Sequence, residues 1–352
     1  MPLTGDYRAS SNVFYTRPER PLNERHLFVG ALVESERDIA PMEVIKVSPR
    51  GYCYGVVDAM EMARKAAKDP SLPRPIYIIG LIVHNRFAVE ELSALGVVTL
   101  DGTDRAAILD QVTDGTVIFT AHGVSPAVKQ RAAERGLRVI DATCPDVTKT
   151  HDLVRALAAQ GYEIIYIGKK GHPEPEGVIG VAPERVHLVE NEADLDELPA
   201  SVGASTRLAV TNQTTLSQWD TERLIQAIQQ RFPQTEIYNE ICKATQLRQE
   251  AVANLARGAD LTIVVGDPRS NNTNRLVQVA EELAGSPALR IERLEDLNPE
   301  LLAGKKRVAI TAGASTPSQL TRQVIRFVED YGAKVRELPP EDLERYDQNT
   351  HN

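Results

Sequence analysis

Cysteine is scarce in this chain. There are three among 352 residues, Cys53, Cys144 and Cys242, and none is spaced as a C-x-x-C pair. An odd number cannot all pair within one chain, and thiols of the cytosol stay reduced. Long apolar runs are also missing. The longest, Ile76 to Val83, is broken by Gly80 and falls far short of the about 20 residues that span a bilayer. The first residues have no apolar core of a signal peptide, and residues 1–41 carry five Arg against six acidic residues, unlike an acid-poor transit peptide. Positive charge is not in excess. A net charge of −9 argues against a general nucleic-acid binder or an anionic-membrane binder. No G-x-x-x-x-G-K-[ST] loop occurs, so a nucleotide-hydrolysing P-loop is not supported. A cytoplasmic protein is expected.

What is present is a pattern that comes round three times. Each copy opens with a short apolar strand leading to a cysteine: Ile45–Val47 before Cys53, Leu137–Ile140 before Cys144, Ile237–Ile241 before Cys242. After a helical stretch comes a second strand ending in glycine: Ile76–Gly80, Ile164–Gly168 and Thr262–Gly266. A polar loop and more helix precede a third strand ending in threonine: Val117–Thr120, Leu208–Thr211 and Val308–Thr311. Those threonines follow their cysteines by 67, 67 and 69 residues, a register that chance does not supply. Short β-branched strands alternating with helices imply parallel sheets covered by helices. The expectation is an α/β protein of three similar units around a pseudo-threefold axis: 42–143, 144–241 and 242–332. Residues 1–41 form an N-terminal extension and 333–352 a C-terminal tail. Met42, directly before the first strand, is a second candidate start.

Equivalent positions in three related units can converge on their axis. Each cysteine is expected at a strand-to-helix junction, where free N–H groups and the helix dipole favour a thiolate. A single cysteine reads as a small buried hydrophobe; three in matching places read as ligands, because converging thiolates repel without a cation. Zinc usually takes four ligands, often closely spaced. A 4Fe-4S cluster normally takes four cysteines, so three leave one iron open to a substrate oxygen.

Ligands of open α/β sheets lie beyond the carboxyl ends of the strands. The loops expected there contain His84–Asn85, His172–Pro173–Glu174–Pro175–Glu176, Ser270–Asn271–Asn272, His122, Gln213–Thr214–Thr215 and Gly313–Ala314–Ser315. Taken singly, Thr273 or Ser217 reads as a helix cap. Six donor-rich loops facing one axis read as an anion pocket, since neutral donors at helix N-termini suit phosphate oxygens. Glu174 is the candidate proton donor, with Glu176 read as solvated surface. His151 is expected to pack on the helix after Cys144, and His26, His187 and His351 to lie at the surface.

Several segments together resemble the motifs of the 4-hydroxy-3-methylbut-2-enyl diphosphate reductase family. They are Pro49–Cys53, Val83–Arg86, Thr120–Ser125, Asp141–Pro145, Gly171–Glu174, Asn212–Thr215, Ser270–Arg275 and Thr311–Ser315, in that order between Met42 and Gly332. The resemblance implies a trefoil around a 4Fe-4S cluster held by Cys53, Cys144 and Cys242. It implies that His84, His122, His172, Ser270, Asn272 and Ser315 hold the substrate's diphosphate. Asn271, which stands where some family members carry serine, and Thr214 line the same pocket. Glu174, assisted by Thr214, would deliver protons while two electrons from a ferredoxin or flavodoxin remove the hydroxyl as water. A zinc hydrolase and a non-catalytic phosphate-ester binding module are the rival readings.

Overall fold

A computed structural model describes residues 42–337 apart from 103, 205 and 206. The expected extension 1–41 and the end of the tail lie outside the described residues. The first stretch runs β1 (Glu43–Lys46), α1 (Tyr54–Lys68), β2 (Ile76–Ile79), α2 (Arg86–Ala94), β3 (Val97–Leu100), α3 (Arg105–Asp110), β4 (Thr116–Phe119), α4 (Pro126–Glu134) and β5 (Arg138–Asp141). The second runs α5 (Pro145–Ala159), β6 (Glu163–Ile167), α6 (Pro173–Ile179), β7 (Val186–Val189), α7 (Ala200–Ala204), β8 (Leu208–Asn212), α8 (Gln218–Arg231) and β9 (Glu236–Ile237). The third runs α9 (Lys243–Leu255), β10 (Leu261–Val265), α10 (Asn271–Glu282), β11 (Ala288–Ile291), β12 (Arg307–Ala312) and α11 (Ser318–Glu337). None of the described helices is long and apolar enough to cross a membrane.

The strands form three four-stranded sheets, ordered β3-β2-β4-β5, β7-β6-β8-β9 and β11-β10-β12-β1, with every pairing parallel. Alternate side chains leave each strand on opposite faces, and both faces are dry. In the first sheet Ile76, Ile78 and Ile118 meet Ala59, Met60 and Leu92 from α1 and α2. On its other face Ile79, Val117 and Phe119 meet Ile108, Leu109 and Val128 from α3 and α4. The second and third sheets repeat this arrangement with two cores each.

Two differences from the sequence reading follow from edge strands, and a third lies at the last helix. β3, β7 and β11 were not anticipated. They are four-residue outer strands with half-exposed positions, so they lack the unbroken apolar run of a central strand. β1 pairs with β12 and not with β2, so the strand that opens the first copy completes the third sheet. Met42, Val44 and Val47 accordingly pack in the third unit's cores. Helix α11 also continues to Glu337, beyond the expected end of the third unit.

Candidate functional site

Each cysteine is the residue that starts a helix, and Cys242 Sγ donates to Thr245 Oγ1 at 3.2 Å. Cys53, Cys144 and Cys242 precede α1, α5 and α9 with no side-chain capping bond. Where Ser, Asn and Asp start helices, their oxygens accept orphan N–H groups: Asn85 for α2, Ser125 for α4, Ser217 for α8 and Ser270 for α10. The backbone ties the cysteines equivalently. Cys53 N–H donates to Ala314 O at 3.1 Å, Cys144 N–H to Ala121 O at 3.0 Å and Cys242 N–H to Thr214 O at 3.0 Å. These bonds fix the true register of the repeat. Ala121, Thr214 and Ala314 are equivalent, so Thr120 does not match Thr211 and Thr311; it sits one residue before its anchor, and they sit three before theirs.

The three thiols are unpaired and half-buried. Burial pushes the Cys144 thiol up to about 12 and the Cys242 thiol up to about 11, and the neighbouring Cys53 adds to both. Three mutually repelling thiols therefore favour either protons or a shared cation. Cys144 packs closely against Gly55. A Cβ there would lie 2.4 Å from Cys144 Sγ, so only glycine leaves that sulfur clear. One buried cation stands close by: Arg248 donates to Gly51 O at 2.7 Å and to Ala244 O at 2.8 Å, and it feels Cys53 and Cys242 electrostatically. The soft three-sulfur set fits an iron–sulfur group better than a closed structural zinc site, which takes four ligands.

The three imidazoles form a cluster of their own. The ring centroids of His84 and His122 are 4.5 Å apart, those of His84 and His172 5.1 Å, and those of His122 and His172 5.2 Å. Burial lowers the proton affinity of all three, with the charge of His84 adding to it at His122 and His172 and those of Arg269 and Arg105 at His84, which favours the neutral rings. Three ring nitrogens within 4.8 Å of one another could in principle hold a metal ion. His172 is set wrongly for that. Its Nδ1 accepts the Glu174 N–H at 3.2 Å, which leaves the proton on Nε2 as a donor, whereas a metal-bound histidine donates through its other nitrogen. His84 Nδ1 lies 3.1 Å from Arg269 O, and His122 Nδ1 is buried without a partner.

Ser315 Oγ donates to His84 O at 3.0 Å and approaches Ser270 Oγ at 3.3 Å. Asn272 Oδ1 accepts from Ala314 N–H at 2.8 Å, which leaves its Nδ2 buried and unpartnered, a free donor. Asn271 differs: its Nδ2 donates to Thr215 O at 2.8 Å and joins the third unit to the second. Glu174 is 1% exposed, and its carboxylate accepts the Thr214 N–H at 2.7 Å and lies 3.1 Å from Thr214 Oγ1. Burial is the dominant influence and pushes its pKa from 4.5 up to about 7. Thr214 thus holds Glu174 through its N–H and hydroxyl, and Cys242 through its carbonyl.

The sequence-predicted residues accordingly form one network of three thiols, three imidazoles, three hydroxyls, two amides and one carboxyl. Three participants had no sequence signal. Arg248 and Arg105 look like ordinary helix arginines, and Tyr54, whose hydroxyl bonds the Asp146 carboxylate beside Cys144, looks like surface. Glu176 is exposed, as read, and meets the Arg105 charge. His151 packs on α5 between Gly123 and Gly177, as expected, while His187 is half-buried with Nε2 2.7 Å from Glu163. His26 and His351 lie outside the described residues.

Residues 44–329 match the family model described as LytB protein. A 4-hydroxy-3-methylbut-2-enyl diphosphate reductase of Symbiobacterium thermophilum is 63% identical over 296 residues, covering 84% of this chain and 100% of that protein. One from Brevibacillus brevis is 61% identical over 290 residues, covering 82% and 92%. Among solved structures, the E-1-hydroxy-2-methyl-but-2-enyl-4-diphosphate reductase from Plasmodium falciparum superposes with a TM-score of 0.75 at 33% identity, covering 86% of this chain and 90% of that one. A second, an (E)-4-hydroxy-3-methyl-but-2-enyl diphosphate reductase described as the terminal enzyme of the non-mevalonate pathway, gives 0.60 at 32% identity, covering 83% and 99%.

Proposed function

Because the chain belongs to the LytB protein family, we propose that it is the reductase that converts 4-hydroxy-3-methylbut-2-enyl diphosphate into isopentenyl and dimethylallyl diphosphates. Substrate, two electrons and two protons give product and water. Cys53, Cys144 and Cys242 are the residues that would hold a 4Fe-4S cluster. When bound, that group supplies electrons and an open iron position for the hydroxyl oxygen. A small iron–sulfur or flavin protein of ferredoxin or flavodoxin type is the electron donor in this reading. Thiols of this kind require a reducing compartment, and we place the reaction in the cytoplasm.

The chain's own residues do the rest. His84, His122 and His172 with Ser270, Asn272 and Ser315 offer neutral donors to the diphosphate, and Thr214 lines the same pocket. Asn271 serves by bracing the pocket through Thr215. Glu174 holds a proton near neutrality and delivers it to the departing oxygen, with Thr214 fixing its direction. The observation that carries this reading is the double engagement of Thr214, which holds the buried Glu174 carboxyl and the backbone of Cys242 on one residue. Anaerobic turnover of the allylic diphosphate with a reducing dye tests it. Release of water and both C5 diphosphates is expected; hydrolysis to phosphate without dye oxidation would contradict it.

A further inference from the structure

A buried guanidinium stands unused beside the imidazoles. Arg105 opens α3 and is 5% exposed. It lies across Gly80, whose φ is +93° and where an added Cβ would come within 2.6 Å of Arg105 Cζ. Its Nη1 donates to Ile79 O at 3.1 Å, and its Nε is buried without a partner. Arg105 lines a cavity of about 430 Å³ together with His84, Glu176 and Arg269.

The charges around it are arranged unequally. Arg269 is paired with Asp267 at 2.9 Å, and its charge lowers the proton affinity of His84. Arg105 is felt by all three imidazoles, whose proton affinity it lowers. Glu176 and Asp101 act on Arg105, and the carboxylate of Glu176 also accepts a backbone bond from Arg105. Burying an incompletely paired guanidinium is costly, unless an anion arrives to complete it. The neutral donor set of the pocket carries no positive charge of its own to offer a diphosphate.

We propose that Arg105 is a positioning residue for the diphosphate: it supplies the positive field that the neutral imidazoles, hydroxyls and amides lack, and Glu176 moderates that field. This rests on the diphosphate reading of the pocket. Acting through the field and not by contact, Arg105 should raise affinity and orient the anion towards the imidazoles. Glu176 should act in the opposite sense.

The test is calorimetric titration of inorganic diphosphate into the anaerobically purified full-length holoenzyme. Arg105→Gln should weaken binding by about tenfold, the scale of one unit charge across an intermediate dielectric. Arg105→Lys should recover most of that loss, and Glu176→Gln should bind diphosphate more tightly than the wild type. The gap between Arg105→Gln and wild type should narrow as salt is raised. A purely structural contact predicts otherwise, because Glu176→Gln cuts the same pair and would then weaken binding too. Equal affinity in wild type and Arg105→Gln, or weaker binding in Glu176→Gln, overturns the proposal. A wild type that binds no diphosphate at all sinks the pocket reading with it, whereas normal wild-type binding that ignores both substitutions sinks only the role of Arg105.

Discussion

A glutamate in water ionises near 4.5; Glu174, walled off from solvent and held by Thr214, keeps its proton up to about 7. As the proposed acid, Glu174 needs that proton, so turnover should decline as pH rises through about 7. The same shift bears on stability. Because the folded state holds the proton more tightly than the unfolded chain, stability is greatest below about 4.5 as far as this group is concerned, and is lost as pH climbs through about 7. Glu174→Gln should remove that slope from the pH dependence of Tm. It should also slow turnover by roughly a hundredfold or more while still binding substrate. Near-normal steady-state rates in this variant would move the acid elsewhere. In the pocket, His84→Ala or Ser270→Ala should weaken diphosphate binding by about ten- to a hundredfold, with the cluster's visible absorbance unchanged. Ser270 also caps α10, so its variant should melt slightly earlier, by about 1 kcal/mol of stability.

Elements built from unbroken apolar runs were legible in the sequence. β4, β8 and β10 are buried along their whole length, and their hydrophobic composition announces it. The outer strands were not legible, because residues such as Thr99, His187 and Arg290 serve an edge as well as they serve a loop. The donor loops were found because they follow strands in matching places; Arg105 and Arg248 were missed because their partners are backbone carbonyls distant in sequence. The threonine register was close, but it locked onto similar letters where the cysteine N–H bonds mark the true equivalents. At the head of α1, Gly55 gives an element-level test. Gly55→Ala drives a methyl into Cys144 Sγ and should strip most of the iron while the far-ultraviolet circular dichroism stays that of the native fold. Full iron content in that variant would show that the sulfurs have more room than the packing allows.

At the scale of the molecule, the third sheet uses both the first and the last strands of the described chain. β1 pairs with β12 through Glu43 to Arg307 and Lys46 to Ile310, so the three units close on one another and are not strung in a line. That closure brings Cys53 N–H to Ala314 O and Arg248 to Gly51 O, both contacts between the start and the end of the repeat. A chain shortened to begin at Met42 should therefore keep its iron and its turnover. One shortened to begin after Lys46 should lose the edge of the third sheet, melt at lower temperature and release the cluster. Equal Tm for the two would mean that β1 adds nothing to the closure. We propose that three thiols on three equivalent helix ends share one metal group with an open position. Iron and acid-labile sulfide analysis of the anaerobically purified protein tests it most directly. The prediction is about four of each per chain; stoichiometric zinc without sulfide would contradict it.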